Sequence, residues 1–132
     1  MPLSETLDAH LPEGGLPRAG LHEILAAEPG AAAGFAAVIL GRAGGTVLWI
    51  AREPEAWPPG LARYGLSPAD LVLVRAPGPA DGLWAMEEAL RCPAVAGALL
   101  DVPDLDLTAA RRLQLAAESG GAIGLLLRPD TE

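Results

Sequence analysis

Five short apolar segments recur about every 25 residues along this chain, and helix-forming sequence joins each one to the next. Apolar runs of this length are typical of strands covered on both faces, as in a parallel sheet between helices. The predicted strands are residues 21–26, 47–50, 71–75, 95–102 and 123–127. The pattern predicts a three-layer α/β/α fold with a mainly parallel five-stranded sheet and right-handed crossovers.

Capping residues and glycines mark the ends of the predicted helices. Asp81 is the expected N-cap of the third crossover helix, which Pro93 ends. Asp106 or Thr108 is the expected N-cap of the fourth, which Gly120 and Gly121 terminate. We divide the chain into an N-terminal helix and connector (1–20), an α/β domain (21–128) and an exposed tail (129–132).

The charge balance restricts the partners of this chain. Its 132 residues carry a net charge of −8, and all nine basic residues are arginines. DNA binding depends on basic surface, so direct DNA binding is not expected and proteins are the expected partners. The single Cys92 permits no internal disulfide, and neither a signal pattern nor a membrane span is apparent. We therefore expect a cytoplasmic protein.

The first strand is followed by a Gly/Pro turn and an Ala-rich helix, the arrangement that places helix N–H groups near a bound phosphate. ATPases add a lysine and a serine or threonine to this turn, in the pattern GxxxxGK[ST]. Here no lysine occurs anywhere in the chain. We interpret the turn as a degenerate nucleotide loop without catalytic chemistry, formed by Ala26, Glu28, Gly30, Ala32 and Ala33.

The segments GGLPRAGLHEI, VLWIARE and GALLD, together with that turn, resemble the ATPase core of the RecA family. The resemblance implies the strand order 3-2-4-5-1. It also aligns Ala32 and Ala33 with the lysine and threonine of the phosphate loop. Glu53 aligns with the glutamate that positions the attacking water, and Asp101 with the Mg²⁺-associated aspartate. These two acids are therefore expected to be vestigial.

A narrower resemblance covers residues 16–128. The segments LPRAGLHEI, DLVLVRA, LWAMEEALRC and LDLTAARRLQLAAESGGAIGLLLR resemble the ImuA family, RecA-like and SulA-like accessory proteins of a damage-induced mutagenesis cassette. The resemblance implies a non-catalytic adaptor in SOS-induced, error-prone translesion synthesis. ImuB is the implied partner, with RecA or a DnaE-type polymerase as others. Members of the family usually continue well past this point, so we expect a trimmed piece or a short relative.

Two other functions stay open on the same residues. A weak ATP-binding ATPase would use Glu53 and Asp101, and is opposed by the missing lysine. A SulA-like inhibitor of cell division would bind FtsZ and would also need no phosphate loop. The segment LWAMEEALRC favours the ImuA-type adaptor over the SulA-like inhibitor.

Candidate partner contacts come from the expected sheet edges and from exposed positions. Unpaired strand edges are sites where another chain can add a strand, and RecA-type subunits join through such an edge and an N-terminal segment, so a homo-oligomer is one expectation. Trp57 in a proline-rich loop and the arginines of the fourth crossover helix are further candidates. The candidate contacts are Leu7, Leu11, Trp57, Leu71, Leu73, Arg111 and Arg112.

Several polar and aromatic residues have a structural interpretation instead of a functional one. Asp101, Asp104 and Asp106 are interpreted as loop solvation plus a helix cap and not as a metal cluster. Trp49 and Trp84 are interpreted as packing residues, and Arg111 and Arg112 as a solvated face that is either paired with Glu118 or open to a partner. No cofactor or metal is expected.

Overall fold

The computed structural model describes residues 19–26, 29–53 and 58–129. Strands and helices alternate along this part of the chain, as the sequence pattern predicts. The elements are β1 (Gly20–Ala26), α1 (Pro29–Ala43), β2 (Thr46–Ala51), α2 (Pro58–Ala62), β3 (Leu71–Arg75), α3 (Pro79–Arg91), β4 (Val95–Asp101), α4 (Leu107–Gly120) and β5 (Ile123–Pro129).

All five strands form one parallel sheet in the order β1-β5-β4-β2-β3. Counted from β3, this is the order 3-2-4-5-1 that the resemblance implies. The α/β class and the parallel sheet are therefore confirmed. β1 and β3 lie at the two edges, and β4 and β5 lie in the interior.

Helices cover both faces of the sheet, and each layer has its own buried cluster. α1 and α2 pack with alternate residues of β2, β4 and β5, among them Trp49, Leu99 and Leu125. α3 and α4 pack on the opposite face against the intervening residues, such as Ile50 and Leu100. Because side chains alternate along a strand, apolar runs supply both clusters at once.

The capping residues of α4 are those predicted from the sequence, whereas the N-cap of α3 is a different residue from the one predicted. Asp106 is the N-cap of α4, and its carboxylate accepts a hydrogen bond of 2.7 Å from the Ala109 N–H. Gly121 ends that helix in the left-handed conformation, with φ of 78°. At α3 the N-cap is Gly78, so the prediction for Asp81 is wrong. Pro79 suits the first helical turn and starts α3 earlier, and Asp81 instead accepts from the Gly78 N–H at 3.2 Å.

The close approach of α3 and α4 depends on a glycine. A Cβ atom at Gly120 would overlap the backbone carbonyl oxygen of Leu90, near the C-terminal end of α3. The two helices therefore meet tightly at their C-terminal ends. Toward their N-terminal ends they leave a groove on the protein surface, which is described below.

The apolar run of β3 is not covered on both faces as its sequence suggests. Val72 and Leu73 are exposed, whereas Leu71 and Val74 are half-buried. The reason is position: β3 has a neighbour on one side only, and α3 packs over the central strands. Within the described ranges, no helix is long and apolar enough to cross a bilayer.

Candidate functional site

The carboxyl ends of the five parallel strands lie along one edge of the sheet, here called the carboxyl edge. It brings together the end of β1, Glu53 after β2 and Asp101 at the end of β4. A cavity of about 130 Å³ lies there between the ends of β2 and β4 and the start of α3. Arg52 and Asp101 are the charged residues that line it. In open α/β sheets this is where ligands bind, so the carboxyl edge is the candidate nucleotide site.

The residues aligned with the phosphate-loop lysine and threonine face the protein core. Ala32 is only 8% exposed and belongs to the buried cluster beneath α1, and Ala33 packs against the same cluster. Gly30 lies in the first turn of α1, Ala26 ends β1, and Glu28 lies outside the described residues. The lysine of a phosphate loop reaches the β- and γ-phosphates, whereas the methyl group of Ala32 offers them no charge.

Glu53 lies after β2 at the carboxyl edge, beside the end of β3. Its carboxylate forms an ion pair of 3.4 Å with Arg75 at the end of β3, and both side chains are largely exposed. A catalytic glutamate has to hold a water molecule against the terminal phosphate. Here the carboxylate bridges the ends of two neighbouring strands instead.

The arginine beside the end of β1 is also engaged by carboxylates. Arg128 of β5 is in register with Leu25 and donates to Glu23 at 2.9 Å and to Asp104 at 3.5 Å. Arg75 forms the ion pair with Glu53. Among the described arginines of the carboxyl edge, only Arg52 therefore has no carboxylate within 4 Å.

Acidic groups make the carboxyl edge less favourable for the negative charge of a phosphate. The Asp81 carboxylate accepts from the N–H of Gly78, the N-cap of α3, and so places a negative charge at the helix end that would otherwise favour a phosphate. Among the described residues, no three His, Cys, Asp or Glu side chains are grouped so that they could hold a metal ion. Asp106 caps α4, and Asp104 accepts from Arg128 and from the Leu105 N–H at 2.8 Å.

The two edges of the sheet differ in how open they are. At β1, the side chain of Gln114 accepts a hydrogen bond of 2.8 Å from the Leu21 N–H, and Glu118 in turn accepts from Gln114. At β3, Leu71 is half-buried and Leu73 is 39% exposed, and no side chain within the described ranges caps a strand N–H. As far as the described residues go, the β3 edge is therefore the more open of the two. Leu7, Leu11 and Trp57 lie outside the residues that the structure describes.

A buried carboxylate joins α3 to α4, and the sequence interpretation missed it. Glu87 is buried and accepts from Arg112 at 3.0 and 3.2 Å, while Arg91 lies 3.1 Å away. The predicted pairing of Arg111 or Arg112 with Glu118 is wrong, because Glu118 bonds to Gln114 and Arg112 turns toward α3. The spacing of Glu87 from Leu83 and Leu90, at four and three residues, places it on the apolar face of α3 and could have identified it.

Large apolar side chains are exposed on α3 and α4. Trp84 is 67% exposed, so its interpretation as a packing residue is wrong, whereas Trp49 is buried as predicted. Leu107 and Leu115 of α4 are 67% and 65% exposed. Their spacing from Arg111, four residues on either side, places all three on the outer face of the helix. That spacing was visible in the sequence and could have identified the surface.

Comparison with known proteins gives the family. No protein-family model matches the sequence. Protein ImuA of Caulobacter vibrioides, found in two strains, is 41% identical over 131 residues and covers 92% of this chain. This chain belongs to the ImuA family. It spans 54% of the length of that relative, so the match concerns about half of the longer protein.

Two solved structures have a similar fold. SulA from Pseudomonas aeruginosa superposes with a TM-score of 0.68 at 26% identity, over 83% of this chain and 97% of SulA. The RadB recombinase superposes with a TM-score of 0.75 at 14% identity, over 96% of this chain and 70% of RadB. The second likeness shows the fold alone. The RecA-like architecture of this ImuA-family chain is thereby established.

Proposed function

We propose that this chain is a cytoplasmic, non-catalytic adaptor that acts by protein contacts in damage-induced, error-prone translesion synthesis. ImuB is the proposed main partner, with RecA or a DnaE-type polymerase as further ones. Membership of the ImuA family supports the pathway. The observation that carries the non-catalytic part is the burial of Ala32 in the core, at the position of the phosphate-loop lysine.

The adaptor proposal predicts that the chain neither binds nor hydrolyses MgATP measurably. With Glu53 paired to Arg75 and no lysine in the chain, calorimetric titration should show no saturable binding up to about 1 mM nucleotide. Glu53→Gln should change neither phosphate release nor stability, because an exposed ion pair contributes at most about 1 kcal/mol. Turnover that Glu53→Gln abolishes would instead establish the ATPase alternative.

The open edge at β3 predicts that a charge placed on this strand weakens protein contacts made there. Leu73→Glu places a charge on an exposed position of an edge strand, which opposes strand addition by a neighbouring chain. We expect binding to RecA, or self-association, to weaken at least about tenfold, which corresponds to about 1.4 kcal/mol. Biolayer interferometry and analytical ultracentrifugation measure the two. Ser119→Glu, an exposed helix position away from β3, is the control and should leave both unchanged.

A second candidate function rests on the likeness to SulA, which extends over 97% of that protein. In this alternative the chain inhibits cell division by binding FtsZ. Light scattering of FtsZ assembly with increasing amounts of this chain tests it. Inhibition at stoichiometric amounts, together with no binding to ImuB, would replace the adaptor proposal.

A further inference from the structure

A surface groove of about 400 Å³ lies between the N-terminal halves of α3 and α4. The same two helices are in close contact at Gly120, near their C-terminal ends. Its walls are mainly apolar, with Trp84 on one side at 67% exposure. The residues that line it are Ala80, Leu83, Trp84, Glu87, Asp106, Thr108, Ala109, Arg112 and Leu113.

The outer face of α4 lies beside the groove and presents Leu107, Arg111 and Leu115, followed by Glu118, whose carboxylate accepts from Gln114. Leu107 and Leu115 are both about two-thirds exposed and lie one helical turn to either side of Arg111. Exposed tryptophan and leucine side chains grouped in this way are unusual on a monomer and typical of interaction sites. We call the groove and this face together the α3/α4 surface.

The charges of the α3/α4 surface favour a carboxylate on its partner. Both lining acids are engaged, Asp106 by the Ala109 N–H and Glu87 by Arg112 and Arg91. Arg112 uses its Nε and Nη2 atoms for Glu87, which holds the guanidinium in place and leaves the Nη1 donors for another acceptor.

Arg111 is the second cation that this surface offers. It is exposed and has no carboxylate within 4 Å among the described residues. Two fixed or exposed guanidinium groups beside an apolar groove suit planar carboxylates, which arginine binds with two parallel hydrogen bonds.

We propose that the α3/α4 surface binds an amphipathic helix of a different protein, whose apolar side chains enter the groove and whose carboxylates meet Arg111 and Arg112. This inference rests on the adaptor function proposed above and adds the surface and the chemistry of the partner segment. A second copy of this chain is disfavoured as the occupant. A two-fold axis through the centre of the α4 face would bring Arg111 against its own copy, and like charges repel.

The test uses ImuB as the probe, titrated by calorimetry against the chain and its variants. Trp84→Ala, Leu115→Glu and Arg111→Glu should each weaken binding at least about tenfold, because all three positions are exposed and belong to the surface. Arg42→Glu is the matched control, since it reverses an exposed arginine on the other helix layer, and should leave the affinity unchanged. Circular dichroism establishes that each variant is folded.

The outcomes separate this inference from the adaptor function. Binding of ImuB that all three variants retain would overturn the inference and leave the adaptor function standing. Loss of binding in Leu73→Glu alone would do the same and assign the contact to β3. Self-association through α4, abolished by Leu115→Glu, would also overturn it, because the occupant would then be a second copy.

Failure of ImuB to bind at all would count against the adaptor function. In that case a pair of peptides tests the α3/α4 surface independently of ImuB. The probes are two helical amphipathic peptides of about 15 residues. Their sequences are identical except at the charged positions, which are glutamate in one peptide and lysine in the other. The inference would be supported if the acidic peptide bound at least about tenfold more tightly than the basic one and if Arg111→Glu abolished that binding. Equal affinity of the two peptides, or no binding of either, would overturn the inference.

Discussion

Replacing Gly120 with alanine is expected to lower the free energy of unfolding by about 3 kcal/mol, the upper end of the usual range for overpacking. The added methyl group would overlap the Leu90 carbonyl oxygen, and a backbone atom cannot turn away as a side chain does. α4 would have to move off α3, which disturbs the cluster that contains Leu90 and Ala117. For a domain of marginal stability this is a large share of the total.

Urea denaturation followed by circular dichroism measures the effect, and Ser119→Ala is the matched control. Ser119 is exposed and adjacent in the same helix, so its replacement should change stability by no more than about 0.5 kcal/mol. Similar midpoints for the two variants would show that α3 and α4 have room to separate. Where Gly120→Ala still folds, its affinity for an α3/α4 ligand should also change, because the groove width depends on this contact.

Leu99→Ala is expected to cost about 3 to 4 kcal/mol, within the range for truncating a fully buried leucine. Leu99 lies in β4 in the interior of the sheet, is 0% exposed and packs beneath α1. The cost combines the lost transfer free energy with the cavity that rigid neighbours leave behind.

The matched control for Leu99 lies two strands away in the same row of the sheet. Trp49 of β2 is in register with Leu99 on one side and with Leu73 on the other. Leu73→Ala makes the same chemical change at 39% exposure and should cost less than about 1.5 kcal/mol. Equal losses in the two variants would mean that the β3 edge is covered in solution, contrary to its openness here.

The sequence was sufficient where a local interaction decides the structure. Asp106 and Gly121 end α4 as predicted, because a cap depends on residues within a few positions of one another. The five apolar segments predicted the five strands with shifts of one or two residues at their ends. The strand order was predicted through the resemblance to a known family, since periodicity alone carries no information on which strands are neighbours.

The sequence predicted that the candidate nucleotide site lacks its lysine, but it did not predict the ion pairs found at the carboxyl edge. The absence of lysine is a property of the composition. The pairing of Glu53 with Arg75, and of Arg128 with Glu23 and Asp104, joins residues of different strands or loops. Only the sheet register brings these charges together, so no local pattern indicated that Arg75 and Arg128 of the carboxyl edge are paired with carboxylates.

By itself, the sequence determined the α/β class, the ends of α4, the lack of a phosphate-loop lysine and the family of this chain. Tertiary structure alone decided that the apolar run of β3 is exposed, that Trp84 faces solvent, and that Arg112 bonds to Glu87. The physical reason is that hydrophobic burial and ion pairing depend on which elements are neighbours in space. An apolar residue has the same chemistry in β3 and in β4, and its position in the sheet determines whether a partner can reach it.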